Sequence, residues 1–209
     1  MCRIFLVIFL LTSSLAFAGQ LAITDTGDEV ILNSDGTWEY KKEETHINKI
    51  SKNETIFKKE NNATFLLKST KNNSAFYINP QEWGFKKIND SLEPAEYDFQ
   101  LKGKDVYSRA ITEEIPVGLE YLPNIALENA LAVAPDAKIV KKEYRNVNGI
   151  NVIHLEISGT TQGVEFIFLG YYYSDKSGTT QLVAWTSKNL VNKYRVKIIE
   201  FLNGFTIQQ

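Results

Sequence analysis

The segment Val164 to Tyr173 constrains the fold most, because it is apolar on both sides of an extended chain. Phe166, Phe168 and Tyr172 fall on one parity, and Ile167, Leu169, Tyr171 and Tyr173 on the other. Side chains alternate across a strand, so a strand of this composition is buried on both faces and its sheet is covered on both. The neighbouring sequence supplies the rest of such a sheet. Lys138 to Arg145 and Val152 to Ile157 read as strands joined by Asn146-Val147-Asn148-Gly149, where Asn-Gly is a strong hairpin signal. Thr180 to Thr186 follows across Ser174-Asp175-Lys176-Ser177-Gly178 and completes a run of four antiparallel strands.

Two helices are predicted as covers. Leu119 to Ala134 carries Leu119, Leu122, Ile125, Ala126, Ala130 and Val133 at helical spacing. Pro123 fits only in its first turn, and Pro135 stops it. Lys188 to Asn203 places Leu190, Tyr194, Ile198 and Leu202 four apart, with Ser187 as N-cap and Asn203-Gly204 as the stop. Upstream, Thr64 to Lys68 and Ala75 to Asn79 read as one strand pair, split at Lys71-Asn72-Asn73-Ser74. Tyr97 to Leu101 and Asp105 to Thr112 read as another, split at Lys102-Gly103-Lys104. The expected fold class is α+β: an α/β/α sandwich, an antiparallel sheet with helices on both faces.

This main domain spans residues 63–209. Residues 19–40 read as a small β-meander, its short alternating runs broken at Thr26-Gly27-Asp28 and Ser34-Asp35-Gly36. Residues 41–62 are rich in Lys, Glu and Asn, with only Ile47, Ile50, Ile56 and Phe57 as bulky apolar residues. That density is too low to bury a face, so the stretch reads as a flexible charged linker, with a short amphipathic helix as the alternative.

Residues 1–18 read as a signal peptide. Arg3 precedes the apolar run Ile4 to Leu11, and Ala16-Phe17-Ala18 sets alanines where a signal peptidase reads, so cleavage is expected after Ala18. Cys2, the one cysteine, lies before the apolar run and so is not a lipidation site. The mature chain is then thiol-free, which excludes disulfide scaffolds, thiol catalysis and thiolate metal sites. No later apolar run reaches the roughly 18 residues of a membrane span, so no stable membrane insertion is expected. With Arg3 removed, 22 of the 23 basic residues face 25 acidic ones. A balance near −3, with Lys41-Lys42 and Lys58-Lys59 each flanked by glutamate, argues against nucleic acid as a partner. The expected location is periplasmic or secreted.

Catalytic patterns are sparse. No serine sits in G-x-S-x-G, no S-x-x-K occurs, and Gly170 and Gly178 lack phosphate-loop spacing. Aligning Gly36 with the turn glycine of an EF-hand leaves Ile31 first and Lys42 last, where carboxylates are required. His46 lies in the charged linker. His154 and Glu156 share one face of a strand, about 7 Å apart by strand rise, and read either as a base with its carboxylate or as an ordinary polar pair. Glu156 and Glu165 flank one hairpin and could approach each other as paired acids, whereas Glu113 and Glu114 face opposite ways. No catalytic residue, metal ligand or cofactor is assigned.

The segments INPQEWGF, AEYDFQLKGKDVYSRAITEEI, VNGINVIHLEISGTTQGVEFIFLGYYYSDKSGTTQLVAWTS and FLNGF resemble a group of uncharacterised exported bacterial proteins. These in turn look like distant members of the PsbP-like fold: two strand pairs, a helix, antiparallel strands and a C-terminal helix. The likeness covers roughly residues 63–207, and VILNSDGTWEY resembles a short segment near the start of other small exported bacterial proteins. What the resemblance implies is chiefly a fold, shared by photosystem accessory proteins, a nuclear-transport accessory and bacterial envelope proteins that act largely by binding.

The aromatic residues carry the functional expectation. Trp83, Tyr172, Trp185 and Trp38 are candidates for a partner or ligand surface, against the alternative that such rings fill the core. Trp38 and Tyr40 share one parity and are expected to fasten the meander to its neighbour. The leading expectation is a non-enzymatic exported accessory protein that recognises an envelope protein or peptide, with no cofactor. A small-molecule or lipid carrier with an aromatic pocket is the second, and a hydrolase using His154 or carboxylates the third. An enclosed apolar cavity beside Tyr172 or Trp185 distinguishes the carrier, a convergent His154, Glu156 and Glu165 cluster in a concave site the enzyme, and a filled core with exposed Trp83 or Trp38 partner binding.

Overall fold

The structure is a computed structural model that describes residues 20–23, 29–40, 50–90 and 93–208. The signal peptide, His46, the Thr26-Gly27-Asp28 break and residues 41–49 of the linker lie outside the described residues. The chain divides into two units, Met1–Lys49 and Ile50–Gln209.

In the first unit, β1 (Gln20–Ile23), β2 (Glu29–Leu32) and β3 (Trp38–Tyr40) form an antiparallel meander in that order. The β2–β3 turn is built by the sequence read as a break: Asp35 Oδ1 accepts from the Thr37 amide and hydroxyl at 2.9 and 2.6 Å, and Gly36 takes φ +82°.

The second unit holds two sheets and two helices among the described residues. Its main sheet uses β4 (Ser51–Phe57), β7 (Trp83–Lys87), β8 (Ala95–Leu101), β9 (Tyr107–Glu113), β10 (Lys138–Val147), β11 (Ile150–Thr161), β12 (Val164–Asp175) and β13 (Gly178–Ser187). Their order is β4-β10-β11-β12-β13-β9-β8-β7. All pairings are antiparallel except β4 with β10, so the sheet is mixed rather than purely antiparallel.

That parallel strand comes from the stretch read as a linker. β4 is an edge strand, exposed along most of its length, and it docks mainly through polar contacts. Asn53 donates to Glu143 Oε1 at 3.1 Å, and the Arg145 guanidinium lies 4.6 Å from the centre of the Phe57 ring. Apolar periodicity therefore gives no sign of it.

A second small sheet contains β5 (Phe65–Lys68), β6 (Ser74–Ile78) and β14 (Phe205–Ile207), in the order β14-β6-β5. The first strand pair read from the sequence thus forms a separate layer instead of extending the main sheet.

The helices are α1 (Leu122–Val133) and α2 (Lys188–Leu202). A 3-10 turn over Leu119–Tyr121 leads into α1, and Pro123 sits in the first turn, as its missing amide requires. Thr161 Oγ1 donates to the Val133 carbonyl at 2.8 Å, satisfying an acceptor left free at the helix end. Ser187 occupies the N-cap of α2, yet its hydroxyl donates to Asn189 Oδ1 at 2.6 Å instead of capping an amide.

Alternate residues of the central strands feed different cores. Val152 of β11 and Leu169 and Tyr171 of β12 cluster with Val191, Ile198, Phe201 and Leu202 of α2, and with Phe76, Ile78 and Phe205 of the small sheet. Ile153, Leu155 and Ile157 of β11 and Tyr172 of β12 cluster instead with Leu122, Ala126 and Ala130 of α1. Both parities of the doubly apolar strand are therefore used, and each fully buried aliphatic side chain contributes about 1.5–3 kcal/mol.

Candidate binding cleft

A helix is about 10 Å wide and neighbouring strands lie about 4.8 Å apart, so one helix shields about two strands. α1 packs chiefly on β11, and the 3-10 turn that leads into it packs on β12. The far end of α1 is drawn down onto β11, because Gly159 leaves no room there for a side chain: a Cβ would lie 2.7 Å from that of Ala134. Between α1 and the strands β9, β12 and β13 runs a mainly apolar cleft of about 630 Å³. Its wall is Ile125, Ala126, Ala130 and Val133 of α1, and its floor includes Ile111, Ile157, Phe168 and Val183.

Tyr172 and Trp185 both line this cleft. Trp185 lies opposite Phe168 on β12 and opposite Tyr107 on β9. Its ring centroid is 6.5 Å from that of Phe168 and 6.1 Å from that of Tyr107, so an aromatic row crosses three strands. Tyr172 leans along β12 over Gly170, where a Cβ would lie 2.7 Å from Tyr172 Cε2. The missing side chain at Gly170 is what lets the ring lie down on the sheet.

Glu113, weighed above only as one of two adjacent acids, also lines the cleft, as do Arg109, Gln181 and Asn129, to which the sequence drew no attention. Gln181 was legible in one respect: it shares a parity with Val183 and Trp185 in an otherwise apolar run. Arg109 is already engaged. Its Nε and one terminal nitrogen donate to the two oxygens of Asp98 at 2.7 and 3.2 Å, and Glu93 lies 3.8 Å away.

The other candidates fall elsewhere. Trp83, expected at an accessible surface, is 3% exposed and packs on Phe201 of α2. The turn-rich sequence around it forms the edge strand β7. Trp38, in the meander, is 55% exposed.

His154 is fully buried on the α2 side of β11. Its Nδ1 lies 3.1 Å from the Gly170 carbonyl and its Nε2 3.4 Å from Glu156 Oε1. Burial pushes the imidazole below its ordinary range, against the pull of Glu156. Burial also pushes the Glu156 carboxyl up, but hydrogen bonds from His154 and Arg195 outweigh it and hold the group at about 2. Arg195 of α2 donates to Glu156 at 2.7 Å, whereas Glu165 pairs with Lys188 at 2.6 Å. Each carboxylate thus has its own cation, and none of His154, Glu156 and Glu165 lines the cleft.

Nearby, Glu143 Oε1 accepts from Arg145 Nε at 2.6 Å, Arg145 also donates to the Tyr171 hydroxyl at 3.2 Å, and Tyr171 donates to Asn203 Oδ1 at 2.7 Å. These groups tie β10 and β12 to the end of α2. Among the described residues, no cluster of three or more His, Cys, Asp or Glu is arranged to hold a metal ion, and no helix is long and apolar enough to cross a membrane.

No family model matches the sequence, and no curated protein does. Solved structures do. The cyanobacterial PsbP protein CyanoP from Synechocystis is 12% identical, with a TM-score of 0.51, over 68% of this chain and 91% of that one. A protein of unknown function from Pseudomonas aeruginosa, PA94, is 12% identical with a TM-score of 0.43, over 61% and 83% of the two chains. LpqN, involved in cell envelope biogenesis of Mycobacterium tuberculosis, is 14% identical with a TM-score of 0.42, over 62% and 80%. The likeness to CyanoP shows the fold: the chain carries a PsbP-like fold of mixed α and β structure.

Proposed function

We propose that this is an exported, non-catalytic accessory protein that carries a small apolar molecule in the cleft between α1 and the sheet. The observation that carries the reading is the placement of Tyr172 and Trp185 together in a mainly apolar cavity of about 630 Å³, within the range of small-molecule sites. The split of β11 and β12 between two cores, one with each helix, supports a sandwich with a helix on each face, so the cleft is a gap in one cover. Export is supported by the sequence of Met1 to Ala18. The burial of Trp83 removes one of the two exposed rings on which recognition of an envelope protein or peptide was expected to rest, and leaves Trp38. His154 and Glu156 are spoken for by structural partners away from the cleft, which weighs against the hydrolase reading.

The test is native mass spectrometry of the protein purified from envelope extracts, beside a Val183→Arg variant that fills the cleft with a charge. An apolar adduct on the wild type that the variant loses supports the reading. An adduct retained by the variant, or a wild type that takes up no apolar probe in titration, overturns it.

A further inference from the structure

Two polar side chains on neighbouring strands line the cleft, and neither is hydrogen-bonded to another described residue. Tyr172 and Gln181 are direct cross-strand partners between β12 and β13, and both line the cavity. They are 3% and 4% exposed, so each is more than nine-tenths buried. Among the described residues neither the Tyr172 hydroxyl nor the Gln181 carboxamide makes a hydrogen bond, and burial alone acts on the Tyr172 hydroxyl, pushing it well above its ordinary range. Among the described residues no polar side-chain atom sealed from solvent lacks a partner, so these two groups open onto the cleft they line. A wholly apolar occupant that displaced solvent from these groups would leave them unpaired at a cost of about 1–3 kcal/mol, which an occupant with a hydrogen-bonding group avoids.

The charges around the cleft narrow what these groups receive. Arg109 is the cation of the lining, and Asp98 and Glu93 already neutralise it, while Glu113 adds a further negative charge at the lining. An anionic head would have to shed its water beside a spent cation and three carboxylates, which is unfavourable. A carbonyl, amide or hydroxyl carries no charge to desolvate and is matched by hydrogen-bonding groups of this kind.

Building on the carrier reading, we propose that Tyr172 and Gln181 form the head-group subsite of the cleft, and that its ligand is a neutral amphiphile: an apolar chain ending in an uncharged hydrogen-bonding group. The Tyr172 hydroxyl donates to the head, and the Gln181 carboxamide both donates and accepts.

The experiment titrates the full chain with decanamide and with decanoate at pH 8, below their aggregation limits, reading the fluorescence of Trp185 with Trp185→Phe as the blank. The expected result is that decanamide binds at least tenfold more tightly than decanoate. Tyr172→Phe, which removes one oxygen that no folded-state bond uses, is expected to weaken decanamide about fivefold, the value of one neutral hydrogen bond. Equal affinities for the two probes, or a Tyr172→Phe variant that binds decanamide as the wild type does, overturn the subsite while leaving the carrier reading intact. Binding of neither probe overturns both.

Discussion

Trp83 and Phe201 lie face to face, with ring centroids 4.1 Å apart and 27° between their planes. The pair fastens the edge strand β7 to the last turn of α2, and Phe99 closes on Phe201 from the side at 5.0 Å. Replacing Trp83 with alanine removes a nearly fully buried ring and leaves a cavity in the α2-side core. The expected loss of stability is about 3–5 kcal/mol, read from urea unfolding followed by far-UV circular dichroism. A loss below about 1 kcal/mol would place the ring at the surface instead. Because Trp83 belongs to the other core, probe uptake by the cleft should be unchanged in whatever fraction remains folded.

Gly170 and Tyr172 form a steric pair in which the first residue exists to make room for the second. In Gly170→Ala, the new Cβ would sit 2.7 Å from Tyr172 Cε2 and 3.1 Å from its hydroxyl oxygen. The ring must lift from the sheet, and the space above it is the cleft. We expect a stability loss of about 1–3 kcal/mol, typical of overpacking, together with reduced uptake of any apolar probe. Thermal unfolding and fluorescence titration of the same variant check both parts. A variant that loses stability and keeps full uptake would show that Tyr172 does not form the cleft floor.

Much of this arrangement was written in local periodicity. The doubly apolar β12, the Asn148-Gly149 hairpin and the helical spacing of α1 each specify their own element and its buried side. β4 and β7 escaped because edge strands bury little, and β4 is held by Asn53, Phe57 and Arg145, a mixture of polar and ring contacts with no apolar period. Trp83 was misplaced for a related reason: the turn residues Asn79 and Pro80 just before it suggested a loop, while its burial depends on Phe201, 118 positions later in the chain. The site was legible as residues but not as a place. Tyr172 and Trp185 could be named from composition, yet the cleft they share is lined by residues of α1, β9, β11, β12 and β13 brought together only in the fold. Arg109 joins it only through the β13–β9 pairing, which no local pattern encodes, whereas Gln181 faces Tyr172 across a hairpin that the sequence does mark.

Asn148 does more than turn a hairpin. It adopts φ +52°, its Nδ2 donates to the carbonyls of Asn203 and Phe205 at 2.8 and 2.7 Å, and its Oδ1 accepts from the Lys59 amide at 2.9 Å. The side chain thereby joins the β10–β11 turn to the end of α2, to β14 and to the chain leaving β4. Asn148→Gly keeps the backbone conformation and deletes three bonds, for an expected loss of about 2–4 kcal/mol. Asn148→Asp should be worse: it retains the acceptor for Lys59 but sets a second carboxylate oxygen against two carbonyls. Urea midpoints of the two variants give the order, and an Asp variant more stable than the Gly variant would contradict this hydrogen-bond assignment.

The buried His154–Glu156 pair makes the fold acid-sensitive in two separable windows. His154 faces Gly170 and Glu156 with its two nitrogens, and Arg145, Tyr171 and Arg195 complete its polar surroundings. A neutral ring can donate to only one of its two acceptors, but burial still holds it below its ordinary 6.5. The unfolded chain therefore takes up a proton before the folded one does. The stability from His154 is complete above about pH 6.5 and falls as the pH drops below that value. Glu156 has the same sign at lower pH: held at about 2 against 4.5, its contribution is present above 4.5 and is lost as the pH falls towards 2. Unfolding free energies from urea titrations should thus be level from pH 8 to 7, decline below 6.5 and decline more steeply below 4.5. His154→Gln should flatten the first decline and leave most of the second. Glu156→Gln should lower stability at pH 7, where Arg195 loses its carboxylate partner, and reduce the second decline. An undiminished slope between pH 6.5 and 5 in His154→Gln would mean that the histidine does not titrate with folding.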